Sequence, residues 1–423
     1  MPKKPPRRSP PPAISSPETR GNLFPIVGVG ASAGGLEAFT AFLKHLPTDS
    51  GMALVLIQHL DPQQHSQLTE LLSKATKIPV VEVSVDTPIE PDHVYIMAPA
   101  ACLSMADGHL RVERRAGGRN LPIDYFLRSL AQDKSSKAIG IVLSGTASDG
   151  TLGLKAVKAQ GGITFAQEPS SAKFDGMPRS AIAAGVADFV LAPDEIAKRL
   201  VSLARHPYVA LKSPEDGEAA LETESALNRI FHLLRSVTRN DFTHYKCTTI
   251  RRRLHRRMVL HAHEKLGDYI AYLQENPAEV RALADDLLVC VTSFFREPEY
   301  FEALATMVFP EILKGRSPED SIRVWVPGCA TGEEAYSIAI CLTEFLERDG
   351  ANVPLQIFAS DISETTIEKA RAAIYMMPAL AEVSPARLKR FFVKANGGVP
   401  DREIHPRGMH LRPAERRQRS ALP

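Results

Sequence analysis

The sequence predicts an α/β protein. A doubly wound, mostly parallel sheet comes first, then a small all-α unit, then a partial Rossmann-like α/β unit. Three observations carry this. Between residues 23 and 205 short apolar runs alternate with amphipathic segments, the pattern of βα units. Runs such as Ala53–Ile57 and Ala138–Leu143 are apolar at every position, as a sheet covered by helices on both faces requires. From Leu221 to about Val291 the pattern is helical throughout, and strand-like runs return at Ile322.

Taken in order, residues 1–22 hold seven prolines and a basic excess, the composition of a disordered arm. Residues 23–205 contain strand candidates at 24–30, 52–58, 94–98, 138–144, 162–166 and 189–191, with helical patterns at 34–45, 64–74, 122–132 and 151–159. Asp107-Gly108 followed by 110–115 reads as a hairpin return. Residues 206–220 are polar and contain two prolines, and read as a linker. Residues 221–291 form the helical unit. Residues 292–395 contain a strand at 322–327, a helix at 332–348, a strand at 355–359 and a helix at 364–373. The tail 396–423 has six arginines, no lysine, four prolines and no periodicity, and is expected to be disordered.

At 423 residues, several cores are expected. The net charge of +2 assigns no partner by itself. Five scattered cysteines without C-x-x-C spacing suggest a reducing compartment and neither a disulfide framework nor a metal site. There is no signal peptide and no apolar run long enough for a membrane span, so a cytoplasmic protein without membrane insertion is expected.

The stretch Ile26-Val-Gly-Val-Gly-Ala-Ser32-Ala-Gly-Gly35 has the grammar of strand, tight turn and helix. It reads either as a phosphate-cradling turn or as a G-x-S-x-G nucleophile elbow. In a parallel sheet, chemistry collects at the C-terminal strand ends. Ser32, His59 and Asp149 each follow such a strand, giving a nucleophile, a base and a carboxylate to orient the base. A dinucleotide turn would need an acidic residue where Gln58-His59 ends the second strand. Singly, each residue has a plain reading: Ser32 as a helix cap, His59 as a structural histidine, Asp149-Gly150 as a turn. Their convergence favours the elbow. The order Ser, His, Asp differs from the Ser, acid, His of the common hydrolase fold. His65, His93 and His109 are rival bases.

Gly-Val-Gly-Ala-Ser-Ala-Gly-Gly, Gln58-His59, Leu143-Ser-Gly-Thr-Ala-Ser-Asp-Gly150 and Gly176-Met-Pro178 together resemble the catalytic domain of chemotaxis protein-glutamate methylesterases over residues 23–205. The resemblance implies Ser32 as nucleophile, His59 as base and Asp149 as orienting acid. The implied reaction is hydrolysis of glutamate γ-methyl esters on chemoreceptors, with deamidation of receptor glutamines common in the family and no cofactor. Backbone N–H groups near Ala33 and Thr146 are the implied oxyanion donors. Such proteins often carry an N-terminal receiver domain, and the 22-residue arm is too short to be one.

In the helical unit Ile250, Leu254 and Met258 form an apolar stripe, and Arg251, Arg252, Arg253, Arg256 and Arg257 load the same segment with charge. A solvated face and a nucleic-acid face are the plain alternatives, the latter without aromatic support. Further on, Ile322-Arg-Val-Trp-Val-Pro-Gly-Cys-Ala-Thr-Gly-Glu-Glu334 runs from a strand through a glycine loop into a helix, and the next strand ends in Asp361. This geometry suits a dinucleotide or S-adenosylmethionine, and a tight packing turn is its bland reading.

The Gly328–Ser337 segment, Phe358-Ala-Ser-Asp-Ile362, Thr292-Ser-Phe-Phe-Arg296 and the basic helix resemble chemoreceptor glutamate methyltransferases over residues 222–395. The resemblance implies S-adenosylmethionine contacts at Arg296, Gly328, Thr331, Gly332, Glu333 and Asp361, and a receptor-facing role for the five arginines. That family's sheet has seven strands, whereas only the first two are legible here, so a truncated or frame-shifted end and little methyl transfer are expected. The leading function is an esterase acting on chemoreceptors or similar sensors, fused to a methyltransferase module, with no nucleic-acid partner. A receptor-binding adaptor and a nicotinamide-dependent oxidoreductase are the alternatives, the last disfavoured by His59.

Overall fold

The structure, a computed structural model, describes residues 24–58, 68–99, 101–114, 121–210, 224–288, 292–317, 319–394, 404–406 and 412–413. The N-terminal arm, His59, His65, linker residues 211–220, Cys290 and most of the tail lie outside the described residues.

In the first unit the strands are β1 (Ile26–Ala31), β2 (Ala53–Gln58), β3 (Val80–Val83), β4 (Thr87–Pro88), β5 (His93–Met97), β6 (Ala101–Ala106), β7 (His109–Arg114), β8 (Ala138–Val142), β9 (Ile163–Gln167) and β10 (Phe189–Leu191). Its helices are α1 (Gly35–Leu43), α2 (Leu68–Ala75), α3 (Pro122–Lys134), α4 (Thr151–Ala159), α5 (Gly176–Ala183) and α6 (Pro193–Ala204). Seven strands form one sheet in the order β10-β9-β8-β1-β2-β5-β3, every pair parallel. The doubly wound sheet expected from the sequence is present. Strands β3 and β6 and helices α5 and α6 were not anticipated. Antiparallel β4, β7 and β6 form a small separate sheet that contains the expected hairpin.

All six residues of β1 are buried, between helices on both faces. The alternating glycines of this strand have a packing reason. A Cβ at Gly28 would stand 2.6 Å from Leu127, and one at Gly30 would stand 2.2 Å from Ile123, both on α3. Only glycine lets α3 lie this close to the central strand.

After α7 (Pro207–Ala210) come α8 (Glu224–Thr238), α9 (Cys247–Leu260), α10 (Leu266–Glu275) and α11 (Pro277–Leu287). Ile250, Leu254 and Met258 of α9 are buried with Ile230, Leu234 and Leu283, so the apolar stripe is the core of this unit. The opposite side of α9 is packed on the first unit, where Val259 and Leu260 join the core of α1 and α6.

The third unit has α12 (Pro298–Ala303), α13 (Phe309–Leu313), β11 (Ile322–Pro327), α14 (Glu333–Asp349), β12 (Leu355–Ser360), α15 (Glu364–Ala372), α16 (Pro385–Phe391) and β13 (Phe392–Lys394). In the tail, β14 (Ile404–Pro406) pairs antiparallel with β13, and β15 (Arg412–Pro413) pairs parallel with β12. Strands of two or three residues need no side-chain periodicity when an edge strand offers free backbone groups. The β11 strand is half exposed along its length, with Trp325 67% exposed, in contrast to β1.

The basic helix docks at the sheet edge where β9 and β10 begin. Arg256, 3% exposed, donates to the Gly162 carbonyl (3.0 Å) and bridges Asp188 and Asp286. Burial opposes the charge of Asp188, but Arg256 and Lys158 outweigh it and hold its carboxyl below the ordinary range. Arg253 donates to the carbonyls of Lys158 and Ala159 at the end of α4. Arg256→Ala would strip Asp188 and Asp286 of their closest cation and leave them to Lys158 and Arg257, a loss of a few kcal/mol, below the about 3–5 kcal/mol of a fully uncompensated buried pair. Thermal unfolding of the full chain should show a markedly lower midpoint, and an unchanged midpoint would contradict the bridge.

Candidate active site and cofactor cleft

Parallel pairing brings the C-terminal ends of the central strands to one edge. Ala31 is in register with Gln58, and Gly30 with Val142. The chain leaves β1 and β8 together: Leu143 N–H donates to the Gly30 carbonyl (2.8 Å), and Ser32 N–H donates to the Ser144 carbonyl (3.0 Å). Ser32 is therefore tied at the mouth of the central strand. It is half-buried, ahead of the left-handed Gly34 (φ 73°) that turns the chain into α1.

The loop after β8 closes against Ser32. A Cβ at Gly145 would lie 3.0 Å from Ser32 Cβ and 2.1 Å from Met177 Sδ, so only glycine fits between them. Met177 N–H donates to the Gly145 carbonyl (3.0 Å), which brings the Gly176-Met177-Pro178 motif to this site. Ser144 and Gln167 were not singled out from the sequence, yet they hold the loop. Ser144 Oγ donates to the Ala33 carbonyl (2.9 Å), and Ser144 N–H donates to Gln167 Oε1 (2.8 Å). Their only sequence signal is position, two residues past β8 and the last residue of β9.

Asp149 stands at the same edge and is 3% exposed. Its carboxylate accepts from Ile123 N–H (3.1 Å), Asp124 N–H (2.9 Å) and Gly150 N–H (2.9 Å). Two of these donors belong to the first turn of α3, where unpaired N–H groups favour a negative charge. His59 directly follows Gln58 in sequence but lies outside the described residues. Of its rivals, His93 opens β5 at the opposite edge of the sheet, and His109 sits in the β6–β7 hairpin against the Asp107 carbonyl.

Sequence reasoning missed Asp124. It is 4% exposed and accepts from Gly153 N–H (2.6 Å) in the first turn of α4. Its second oxygen, Oδ2, is buried with no hydrogen-bond partner. Burial and the adjacent Asp149 charge push its carboxyl up to about 7, against the pull of the Gly153 and Gly150 N–H groups and of Arg128.

The five arginines are not an open basic face. Arg253 and Arg256 are buried against the first unit, and Arg257 pairs with Glu279 (Nε to Oε1, 2.8 Å) inside the helical unit. Arg251 and Arg252 are half-buried, and the Arg252 chain lies over Gly161. This differs from the expected receptor-facing array. Arg253 and Arg256 serve the inter-unit contact, and Arg257 serves the helical unit.

In the third unit β11 ends in a loop with Gly328 (φ 69°) and Gly332 (φ 97°) left-handed. Asp361 accepts from Ala330 N–H (2.8 Å), Ser363 N–H (2.9 Å) and Thr366 Oγ1 (3.2 Å), leaving about one of its four acceptor sites. Thr331 Oγ1 donates to the buried Glu333 carboxylate (2.6 Å). Beside the loop is a cavity of about 440 Å³ lined by Thr292, Ser293, Arg296, Gly328, Ala330 and Glu334, among others. The structure thus brings Arg296 and Gly328 to one cavity, while Thr331, Glu333 and Asp361 are bound into the loop itself.

Among the described residues no three His, Cys, Asp or Glu side chains cluster as metal ligands, and no helix is long and apolar enough to cross a membrane.

Known proteins can be compared with this geometry. The family model described as CheB methylesterase matches residues 27–200. The CheR methyltransferase all-alpha domain matches residues 225–288, and the CheR methyltransferase SAM binding domain matches residues 290–405. The last match runs past Asn396, where the sequence resemblance was expected to stop. A Leptospira interrogans protein named putative protein-glutamate methylesterase/protein-glutamine glutaminase is 30% identical over 190 residues, 43% of this chain and 95% of that protein. A Burkholderia thailandensis protein named protein-glutamate methylesterase/protein-glutamine glutaminase 4 is 36% identical over 197 residues, 45% of this chain and 57% of that protein. A 104.1 kDa Rhodobacter capsulatus protein is 37% identical over 352 residues, 78% of this chain. The chain spans 37% of that last relative. The solved Thermotoga maritima CheB methylesterase catalytic domain aligns with a TM-score of 0.40 at 29% identity, covering 43% of this chain and 98% of that one.

The raised Asp124 carboxyl makes stability depend on pH. When unfolded the group titrates near 3.8, so between about pH 4 and pH 7 the unfolded chain has lost a proton that the folded chain still holds. Stability falls as pH rises through that window and then levels. Asp124→Asn removes this dependence. Its midpoint relative to the wild type should climb from about pH 4 to about pH 7 and then stay flat, measured by calorimetry. A pH-independent difference would contradict the assignment.

Proposed function

We propose, because the chain belongs to the CheB methylesterase family, that its first unit hydrolyses glutamate γ-methyl esters on chemoreceptors or similar sensor proteins. The observation that supports this best is the juxtaposition of Ser32 and the buried, backbone-held Asp149 at one sheet edge. Ser32 Oγ attacks the ester carbonyl carbon while His59 takes its proton. The tetrahedral oxyanion is met by backbone N–H groups of Ala33 and Thr146. As the intermediate collapses, the C–O bond to the methoxy group breaks and His59 returns the proton, so methanol leaves. Water, activated by the same histidine, then attacks the acyl-serine and releases the glutamate carboxylate and Ser32. Asp149 orients the imidazole and balances its charge. With a glutamine side chain the same steps expel ammonia.

A second reading concerns the remaining units. The match to a SAM binding domain and the cavity between Arg296 and Gly328 support S-adenosylmethionine as the ligand of the third unit. The cavity volume falls in the range of small-molecule sites, about 300–1,000 Å³. When bound, the cofactor supplies an electrophilic methyl group. Arg296, Gly328 and Ala330 would hold it, and the remaining acceptor site of Asp361 would take a ribose hydroxyl.

In methanol release from a γ-methyl-glutamyl peptide, Ser32→Ala should lower turnover by at least about 10³-fold without loss of fold. Undiminished release would refute the nucleophile. A fluorophosphonate label on Ser32 would separate the esterase from a catalytically silent adaptor.

A further inference from the structure

The starts of α3 and α4 are tied to each other by two carboxylates. Asp149, just before α4, accepts from the first-turn N–H groups of α3. Asp124, in that turn of α3, accepts from Gly153 N–H in the first turn of α4. Asp124 thus gives its own N–H to Asp149 and takes the N–H that lies four residues after Asp149. We propose that Asp124 is a positioning residue for the esterase site: through this reciprocal clasp it fixes the turn from Asp149 to Gly153 and so the direction in which the Asp149 carboxylate faces the base. The proposal rests on the reading of Asp149 as the orienting acid.

Three features point to a role beyond capping. An aspartate in a helix's first turn is ordinarily solvated, whereas this one is buried with Oδ2 unpartnered. A second acid stands beside Asp149 where an asparagine would satisfy the same donor at lower electrostatic cost. The carboxyl also changes charge near neutrality, so the negative potential behind the base increases as pH rises. The groups brought to it are few. Asp149 in the turn before α4 and Arg128 of α3 act on it; the packed elements otherwise carry Lys155 and Lys158 on α4, the latter paired with Asp188, Cys102 on β6, and the mutually paired Asp133 and Lys134 at the far end of α3, while β1, β2 and β8 bring no charged side chain. Of these, Asp149 raises its titration and Arg128 lowers it.

The test uses the full chain and methanol release from a γ-methyl-glutamyl peptide, with Asp124→Ala and Asp124→Asn beside Ser32→Ala and Asp149→Asn. Asp124→Ala loses the acceptor, and kcat should fall about tenfold at unchanged KM. Asp124→Asn keeps the acceptor and should restore kcat to within about threefold of the wild type. By removing the titrating charge it should also move the acid limb of the kcat/KM profile down by about half a pH unit. An Asp124→Ala protein that is less stable but turns over at the wild-type kcat overturns the proposal, because Asp124 would then be structural only. If that variant does not fold, Asp124→Asn decides, and an acid limb identical to the wild type overturns the proposal. Wild-type turnover by Ser32→Ala and Asp149→Asn would refute the site itself and the Asp124 proposal with it. Loss in both, with no effect at Asp124, refutes the proposal alone.

Discussion

The structure depends on β1 being hydrogen-bonded on both sides, to β2 and to β8, with all three strands running the same way. Parallel pairing sends every C-terminal strand end to one edge, and a central strand cannot leave the sheet until its neighbours release it. Ser32 is the first residue past that release, and its N–H is still held by Ser144. Ser32 is thus placed by the backbone of the two strands it leaves. The helical unit docks at the opposite edge. Arg253 and Arg256 cap the end of α4 and the starts of β9 and β10, so the second unit is attached without covering the Ser32 edge.

Close approach of α3 is the second requirement. With Gly28 and Gly30 beneath it, the first turn of α3 comes near enough to the β8–α4 loop for its N–H groups to reach Asp149. A larger residue in β1 would push the helix outward and break those bonds before any catalytic side chain was touched. Much of the glycine-rich stretch therefore serves helix packing, and only Gly34 and Gly35 belong to the turn itself. In a phosphate cradle the strand glycines Gly28 and Gly30 would face a ligand. They face a helix instead.

What was legible in the sequence follows from what is local. Alternation of strands and helices, the strand-end positions of Ser32 and Asp149, and the glycine loop at Gly328 are all visible within about ten residues. The partner of a side chain is not. Asp124, in Pro122-Ile-Asp, reads as an ordinary first-turn acid, because nothing nearby says that its acceptor is meant for another helix. The arginines of α9 were legible as an amphipathic segment, but their partners Asp188 and Gly162 lie some seventy to ninety residues earlier. The resemblance implied a receptor-facing role for these arginines, and Arg253, Arg256 and Arg257 have partners within the chain. Strands β3 and β6 escaped notice because short, partly polar runs carry little period-2 signal.

The two strand–glycine–helix turns of the chain show what a surrounding sheet contributes. At Ser32 the strand is buried along its whole length, and neighbouring loops lock the turn through Ser144, Gly145 and Gln167. At Gly328 the strand is half exposed, Trp325 is 67% exposed, and the loop is held by Asp361 just past β12, by the Ser360 carbonyl, which accepts from Cys329 N–H (3.0 Å), and by Tyr375 Oη, which donates to the Thr331 carbonyl (2.7 Å). Similar local sequence grammar thus yields a turn enclosed by a seven-stranded sheet in one case and a turn at the end of a half-exposed edge strand in the other. The difference lies in the number of strands on each side. Preorganisation costs conformational entropy that only extensive packing can offset, so the edge enclosed by seven parallel strands is the one suited to hold a nucleophile in a fixed direction.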